Sequence, residues 1–267
     1  MKKITFLTVA AVLITLVAAS CGQKSASMEF KTIETKEFIK HPMATEDYQG
    51  LGYEIVFTYP SGFGDKAILE TLQRKFIEYV LDKKYVALTP EEAVKACIED
   101  WKKLYDEDMQ EYDETEYILY FDFIHKDTIL FVNDVLLQMR HDFYESTGGA
   151  HGNGGYAAHL FNLKTGEEYK RNDIFKIENE DQIRALIIAE LLKFWEDNDV
   201  DFAEEGVWRD CTSFAVSSEG ITFLYVDYEL GAYYLGCPQI TIPFSQILPY
   251  LREKTPVWDV AKEKSKQ

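Results

Sequence analysis

Tyr53-Glu54-Ile55-Val56-Phe57-Thr58-Tyr59 alternates polar and apolar side chains, the period of a half-buried strand, and Pro60-Ser61-Gly62 ends it. From Lys66 to Leu81 the period changes. Ile68, Leu69, Leu72, Phe76, Ile77 and Val80 recur at helical spacing. Thr89-Pro90-Glu91-Glu92 then carries a cap, a proline at the first helical position and acids in the first turn, which predicts a helix to about Tyr105. An acidic connector over 107–116 leads to two long strands near 116–125 and 129–145. A glycine-rich loop, Thr147 to Gly155, precedes a strand over 156–163. Ile183 to Trp195 reads as a helix, with Ile183, Leu186, Ile187, Leu191 and Phe194 on one side. Three short strands follow near 211–217, 220–228 and 237–242, and 245–251 is a last helical turn.

The resulting order, β-α-α-β-β-β-α-β-β-β, places helices between runs of antiparallel strands. It implies an α+β fold: antiparallel sheets with packed helices, in two small α/β subdomains. The expected division is a signal peptide over 1–20, a tether over 21–29, an N-terminal α+β subdomain over 30–145, a C-terminal one over 146–252, and a frayed polar tail over 253–267. Strands 211–217 and 220–228 should pair with residue numbers summing near 437. Strands 220–228 and 237–242 should pair with sums near 463. Cys211 and Cys237 then flank the middle strand from opposite sides. Two strand spacings put their α-carbons about 9.6 Å apart, beyond the ~7 Å reach of a disulfide. Both are expected to be free thiols.

Met1-Lys2-Lys3 is basic, Ile4 to Ala19 is apolar but for three threonines, and Ala18-Ala19-Ser20-Cys21 ends the run with small residues. A basic start, an apolar stretch and a small-residue cut site make an export signal. Small residues before Cys21 and Gly22 after it resemble the lipobox of bacterial lipoproteins, although Ala18 stands where leucine is usual. The resemblance implies cleavage before Cys21 and attachment of the chain to a membrane through lipid on that cysteine, in the bacterial cell envelope. The small, polar residues from Gly22 to Glu29 suit a flexible tether.

The 267 residues carry 28 basic and 46 acidic side chains, a formal charge of −18. Losing the leader removes Lys2 and Lys3 and no acid, so −18 becomes about −20. This charge argues against nucleic acid and anionic membrane faces as partners and favours basic ones. Cys97, Cys211 and Cys237 are too few for a disulfide scaffold.

No catalytic or cofactor pattern emerges. Gly152-Asn153-Gly154-Gly155-Tyr156-Ala157 fits a relaxed dinucleotide fingerprint by letters, but a strand follows where a helix must begin. Asp197-Asn198-Asp199-Val200-Asp201 begins like a calcium loop, yet the sixth position is Phe202 and the twelfth Trp208. His141 and His159 face each other if strands 135–145 and 156–163 pair with sums near 300, but none of the five histidines has metal-site spacing. The candidate ligand-binding residues are Thr147, Gly148, Gly149 and His151 in the glycine loop, and Tyr228, Tyr233 and Tyr234 around a turn. Glycines permit close approach of a ligand, and tyrosines at a turn form a rim.

Four pieces carry a wider resemblance. They are Tyr53 to Pro60; Tyr144-Glu145-Ser146-Thr147-Gly148-Gly149-Ala150-His151-Gly152; Phe161 to Glu167 leading to Asp173-Ile174-Phe175; and Gly220 to Tyr225 with Tyr228 to Tyr233 and Ile240 to Phe244. Together they resemble the paired envelope domains of RsiV-type anti-sigma factors and PdaC-type peptidoglycan deacetylases, over roughly residues 30–252. In the anti-sigma relatives the module binds lysozyme; in the deacetylases it precedes a catalytic domain. The resemblance implies a non-enzymatic envelope lipoprotein that binds a basic protein such as lysozyme, or alternatively peptidoglycan or another glycan.

Overall fold

The computed structural model describes residues 12–14, 28–111, 119–196, 199–209 and 213–265. Cys21, Cys211, Asp197 and Asn198 lie outside them, and with them the expectations placed on those residues. The fold is α+β, as the alternation of periods implies.

Among the described residues, nine strands fall into two sets, with orders β1-β2-β3-β4-β5-β6 and β7-β8-β9. The first set is Val12–Ile14 (β1), Glu29–Lys40 (β2), Gly50–Gly62 (β3), Tyr120–Val132 (β4), Leu136–Thr147 (β5) and Asn153–Asn162 (β6). The second is Ser213–Val216 (β7), Gly220–Leu224 (β8) and Gln239–Pro243 (β9). The chain forms two compact units. The first comprises residues 1–128 and 141–154, and the second 129–140 and 155–267. This division does not coincide with the cut expected at 145/146. β4, β5 and β6 each leave one unit for the other partway along their length, so a single boundary cannot divide the chain.

In the first unit, Lys66–Val80 (α1) and Pro90–Glu111 (α2) occupy the connection between β3 and β4. That connection is long enough for a crossover, and β3 and β4 pair in parallel, Leu51 opposite Phe121 and Ile55 opposite His125. This one pairing departs from the antiparallel expectation, because the two intervening helices carry the chain back to the end at which β3 began. One face of β3 (Leu51, Tyr53, Ile55, Phe57, Tyr59) is buried, as are Leu72 and Phe76 of α1 and Val94, Cys97 and Trp101 of α2. Asp65 caps α1 by accepting from Ala67 and Ile68. Thr89 and Glu92 form a reciprocal capping box at α2. The supposed acidic connector is helical as far as Glu111, held by buried Met109, one more turn of the 97-101-105 stripe.

The second unit contains Arg171–Ile174 (α3), Glu180–Trp195 (α4), Gly206–Arg209 (α5), Phe244–Ile247 (α6) and Pro256–Lys264 (α7). Its small sheet is an antiparallel meander in the anticipated register: Ser213 pairs with Leu224 and Ile221 with Ile242. Phe214, Val216, Ile221, Phe223, Ile240 and Ile242 share one face and a core with Ile183, Ile187 and Leu191, one turn apart on α4. Phe194, expected on that face, is 53% exposed. Residues 256–264, expected in a frayed tail, form a helix. Thr255 caps α7, Pro256 sits at its first position, and Val257 and Ala261, four residues apart, are fully buried in this core. Val257, Trp258, Val260 and Ala261 span little more than one turn, too short a period to read as a helix.

Candidate ligand-binding site

The candidate residues separate between the units. Thr147, Gly148, Gly149 and His151 belong to the first; Tyr228, Tyr233 and Tyr234 belong to the second.

In the glycine loop the backbone freedom is spent on the protein's own packing. Gly148 has φ +82°, and a Cβ there would stand 2.7 Å from the Leu119 side chain. Gly152 is buried under the Tyr144 ring, which a Cβ would strike, and Gly154 lies beneath the same ring at 3.3 Å. Gly149 has ordinary φ, with nothing closer to its Cβ position than the His151 carbonyl at 3.9 Å. His151 and Thr147 are exposed, and His151 Nδ1 lies 2.9 Å from the Gly152 carbonyl. Gly148, Gly152 and Gly154 thus each lie against another side chain of the first unit, and Gly149 does not.

His141 and His159 belong to different units. His159 Nδ1 lies 2.7 Å from Glu168 Oε1 in the second unit. In the first, His141 packs 5.3 Å from His125, whose Nδ1 donates to the Val80 carbonyl and whose Nε2 meets Glu145. Among the described residues no three His, Cys, Asp or Glu side chains are placed to hold a metal ion. None of the described helices is long and apolar enough to cross a membrane.

The tyrosine loop, residues 226–238, is the better-built surface. It joins β8 to β9 and is pinned from below. Leu230 and Leu235 are buried; the Leu230 carbonyl accepts from Ala203 N at 2.8 Å, and the Leu235 carbonyl from Trp195 Nε1 at 3.2 Å. The Tyr225 hydroxyl, at the loop's root, donates to the Val207 carbonyl. Glu229 turns back to accept from Val226 N. Cys237 Sγ donates to Asp227 at 3.1 Å; burial first, then this carboxylate, pushes its thiol up to about 12. On this base Tyr228, Tyr233 and Tyr234 stand exposed, Tyr234 to 76%. Tyr228 has φ +69°, a left-handed conformation that disfavours a bulky side chain by about 1–2 kcal/mol. It projects beside Tyr233, the ring centroids 5.6 Å apart. Three exposed tyrosines on an anchored loop, one of them in a strained conformation, make a surface of the kind used in recognition.

Sequence reading missed a second feature of this unit. Arg140, at the end of the β5 segment that enters it, lies 4.4 Å over the Tyr156 ring and donates from Nη1 to Gln239 at 2.9 Å. A lone arginine in a strand gives no sequence signal; its placement depends on a register between distant strands.

Residues 172–245, which include the tyrosine loop, match the family described as "Protein of unknown function (DUF3298)". A solved DUF3298-family structure from Bacteroides fragilis NCTC 9343 is 21% identical to this chain. It covers 90% of this chain and 100% of its own length, with a TM-score of 0.71. Another, from Pseudomonas aeruginosa PAO1, is 12% identical over 86% of this chain and 96% of its own, with a TM-score of 0.55. No curated protein matches. At these identities the likeness concerns the fold: this chain shares the architecture of solved DUF3298-family proteins, and a segment of its second unit carries that family's sequence pattern.

Proposed function

We propose that this chain is a non-enzymatic lipoprotein of the bacterial cell envelope, anchored through Cys21, whose folded part binds a basic protein such as a lysozyme through the tyrosine loop. The observation that carries the reading is the anchored display of Tyr228, Tyr233 and Tyr234. Exposed tyrosines are frequent energetic anchors of protein interfaces, since a large rigid ring is buried at little entropic cost. A formal charge of −18 supports a basic partner, by steering it and by repelling acidic ones. The resemblance of Thr147 to Gly152 and of the tyrosine loop to lysozyme-binding envelope modules points the same way.

A pull-down with purified lysozyme tests it. Binding should be retained at low salt, fall steeply when ionic strength rises above ~0.15 M, and weaken at least tenfold in Tyr234→Ala. Lysozyme that ignores the resin at every salt concentration refutes the reading. A second reading, binding of peptidoglycan or another glycan, is favoured by the adjacent Tyr228 and Tyr233 rings, which suit stacking on sugars. Sedimentation with purified peptidoglycan that persists at high salt would select it. The anchor is tested separately: Cys21→Ser should leave the membrane fraction and keep its leader.

A further inference from the structure

The first unit has a cleft of its own, between the end of β2 and the second half of α2. It encloses about 400 Å³, within the range of small-molecule sites. Ile39, Pro42, Leu51 and Tyr105 form its apolar walls, and Lys40, His41, Lys102 and Asp106 stand around them. The strand ladder builds one wall: Ile39 pairs with Leu51, and Lys40 and His41 follow where the chain leaves β2. Helical spacing builds the other, since Tyr105 and Asp106 come three and four residues after Lys102 and share its face of α2. The His41 ring meets the Tyr105 ring edge-on, centroids 6.2 Å apart, and joins the two walls.

The cleft holds charges of both signs that do not neutralise one another. Lys102 and Asp106 have the one-turn spacing at which a lysine and a carboxylate commonly pair. Here Lys102 Nζ turns back instead, to Glu99 Oε1 at 3.1 Å, and the Asp106 carboxylate has no hydrogen-bond or ion-pair partner among the described residues. Lys40 Nζ donates to Asp47 Oδ1 at 2.8 Å, an exposed pair that occupies one of its three N–H groups. His41 Nδ1 accepts from Met43 N at 3.3 Å, so the ring carries its proton on Nε2. Donors on the hairpin side and a carboxylate on the helix side therefore border one apolar floor. A plain anion would leave Asp106 unmatched, and a plain cation would leave Lys40 and His41 unmatched. A small zwitterion satisfies both walls, and the floor takes an aliphatic side chain.

We propose that this cleft binds a zwitterionic α-amino acid with an aliphatic side chain, its ammonium at Asp106, its carboxylate at Lys40 and His41, and its side chain against Ile39 and Leu51. The site shares no residue with the tyrosine loop and stands or falls independently of it.

Calorimetric titration of the purified chain with L-leucine tests the assignment. One equivalent should bind saturably in the millimolar range or below. Isocaproate, which is leucine without the ammonium, and leucinamide, which lacks the carboxylate, should each bind at least tenfold more weakly, because each leaves a charged group of the cleft unmatched. Glycine, without the side chain, should lose as much. Asp106→Asn should weaken leucine at least tenfold and leave isocaproate unchanged. Lys40→Gln should weaken leucine and isocaproate and leave leucinamide unchanged. Both positions are exposed, so the melting temperature without ligand should be retained. Tyr234→Ala should change nothing. Absence of saturable leucine binding, equal binding of isocaproate, or indifference to Asp106→Asn would overturn the proposal. So would tighter binding of inorganic phosphate than of leucine, the mark of a plain anion site.

Discussion

Gln138 offers the sharpest test of how the second unit is held together. Ser217 N donates to the Gly220 carbonyl, which sets the phase of the β7–β8 ladder. In antiparallel pairing the bonded positions alternate, so Phe214 and Val216 turn their backbone groups toward the outer edge of β7. The Gln138 side chain, fully buried, meets them there. Its Nε2 donates to the Phe214 carbonyl at 3.3 Å, and its Oε1 accepts from Val216 N at 3.0 Å. One amide thus does the work of a neighbouring strand. Gln138→Leu keeps the volume and removes both partners. An unsatisfied buried donor or acceptor costs about 1–3 kcal/mol, and the longer bond belongs at the low end. Greater burial of apolar surface by leucine returns a fraction, leaving a net loss of about 2–3 kcal/mol. Gln138→Glu keeps the acceptor for Val216 N but sets a carboxylate oxygen against the Phe214 carbonyl. It should be worse at neutral pH and partly recover in acid, where a protonated carboxyl can donate. The assay is urea unfolding followed by tryptophan fluorescence in a Trp101→Phe background, since Trp195, Trp208 and Trp258 all lie in the second unit. A Gln138→Leu midpoint corresponding to less than ~0.5 kcal/mol, at unchanged denaturant slope, would refute the reasoning.

Three further outcomes follow from the first unit. Gly148→Ala should lower stability by about 1–2 kcal/mol through its positive φ alone, with the Leu119 contact adding to this, whereas Gly149→Ala should stay within ~0.5 kcal/mol; equal effects in chemical unfolding would contradict the geometry. Burial holds the Asp127 carboxyl well above the usual carboxylate range, and its Oδ2 has no partner, while Oδ1 accepts from Thr58 N at 2.6 Å. The folded state therefore keeps a proton that the unfolded state releases above pH ~4, so stability is greatest below that pH and falls as pH rises toward the folded-state pKa. Asp127→Asn should lack this decline and gain on the parent between pH 4 and 7; parallel curves of unfolding free energy against pH would exclude it. Cys97 is buried on α2 and its thiol is pushed up to about 12 by desolvation, so it should resist iodoacetamide at pH 8 in the native protein and react in urea, as peptide mass mapping will read.

What could be read from the residues alone was local. Helix α1 announces itself by Ile68, Leu72 and Phe76, and α2 by its capping box. The β7–β8 register follows from a short turn, which leaves the chain little choice of pairing. The exposed tyrosines were legible because a turn lies between strands that were correctly placed. Beyond local misreadings such as α7 and the end of α2, the failures involve separations in sequence that periodicity does not carry. Nothing within β3 or β4 declares that they lie side by side in parallel across two helices. Nothing in β5 declares that Gln138 and Arg140 serve one unit while His141 serves the other. The packing of the glycine loop is of the same kind: Gly152 and Gly154 lie against Tyr144, eight and ten positions back.

The interleaving of the two units bears on how such a protein can be cut and recombined. The stretch with a recognisable family pattern, 172–245, is shorter than the stretch needed to fold. Excised at those limits, it would lose Gln138 and expose the raw edge of β7. It would lose Tyr156 and Ala158, which shelter Ala215 and Leu224, and α7, whose Val257 and Ala261 close the core. A graft of this unit onto another protein must carry residues 129–140 as well. Those residues enter the chain on the far side of 141–154, so the donor piece has to be taken as a loop-out from Ile129 onward. Heredity at this locus is accordingly expected to move the two units together, because no crossover point inside residues 129–154 leaves both of them whole.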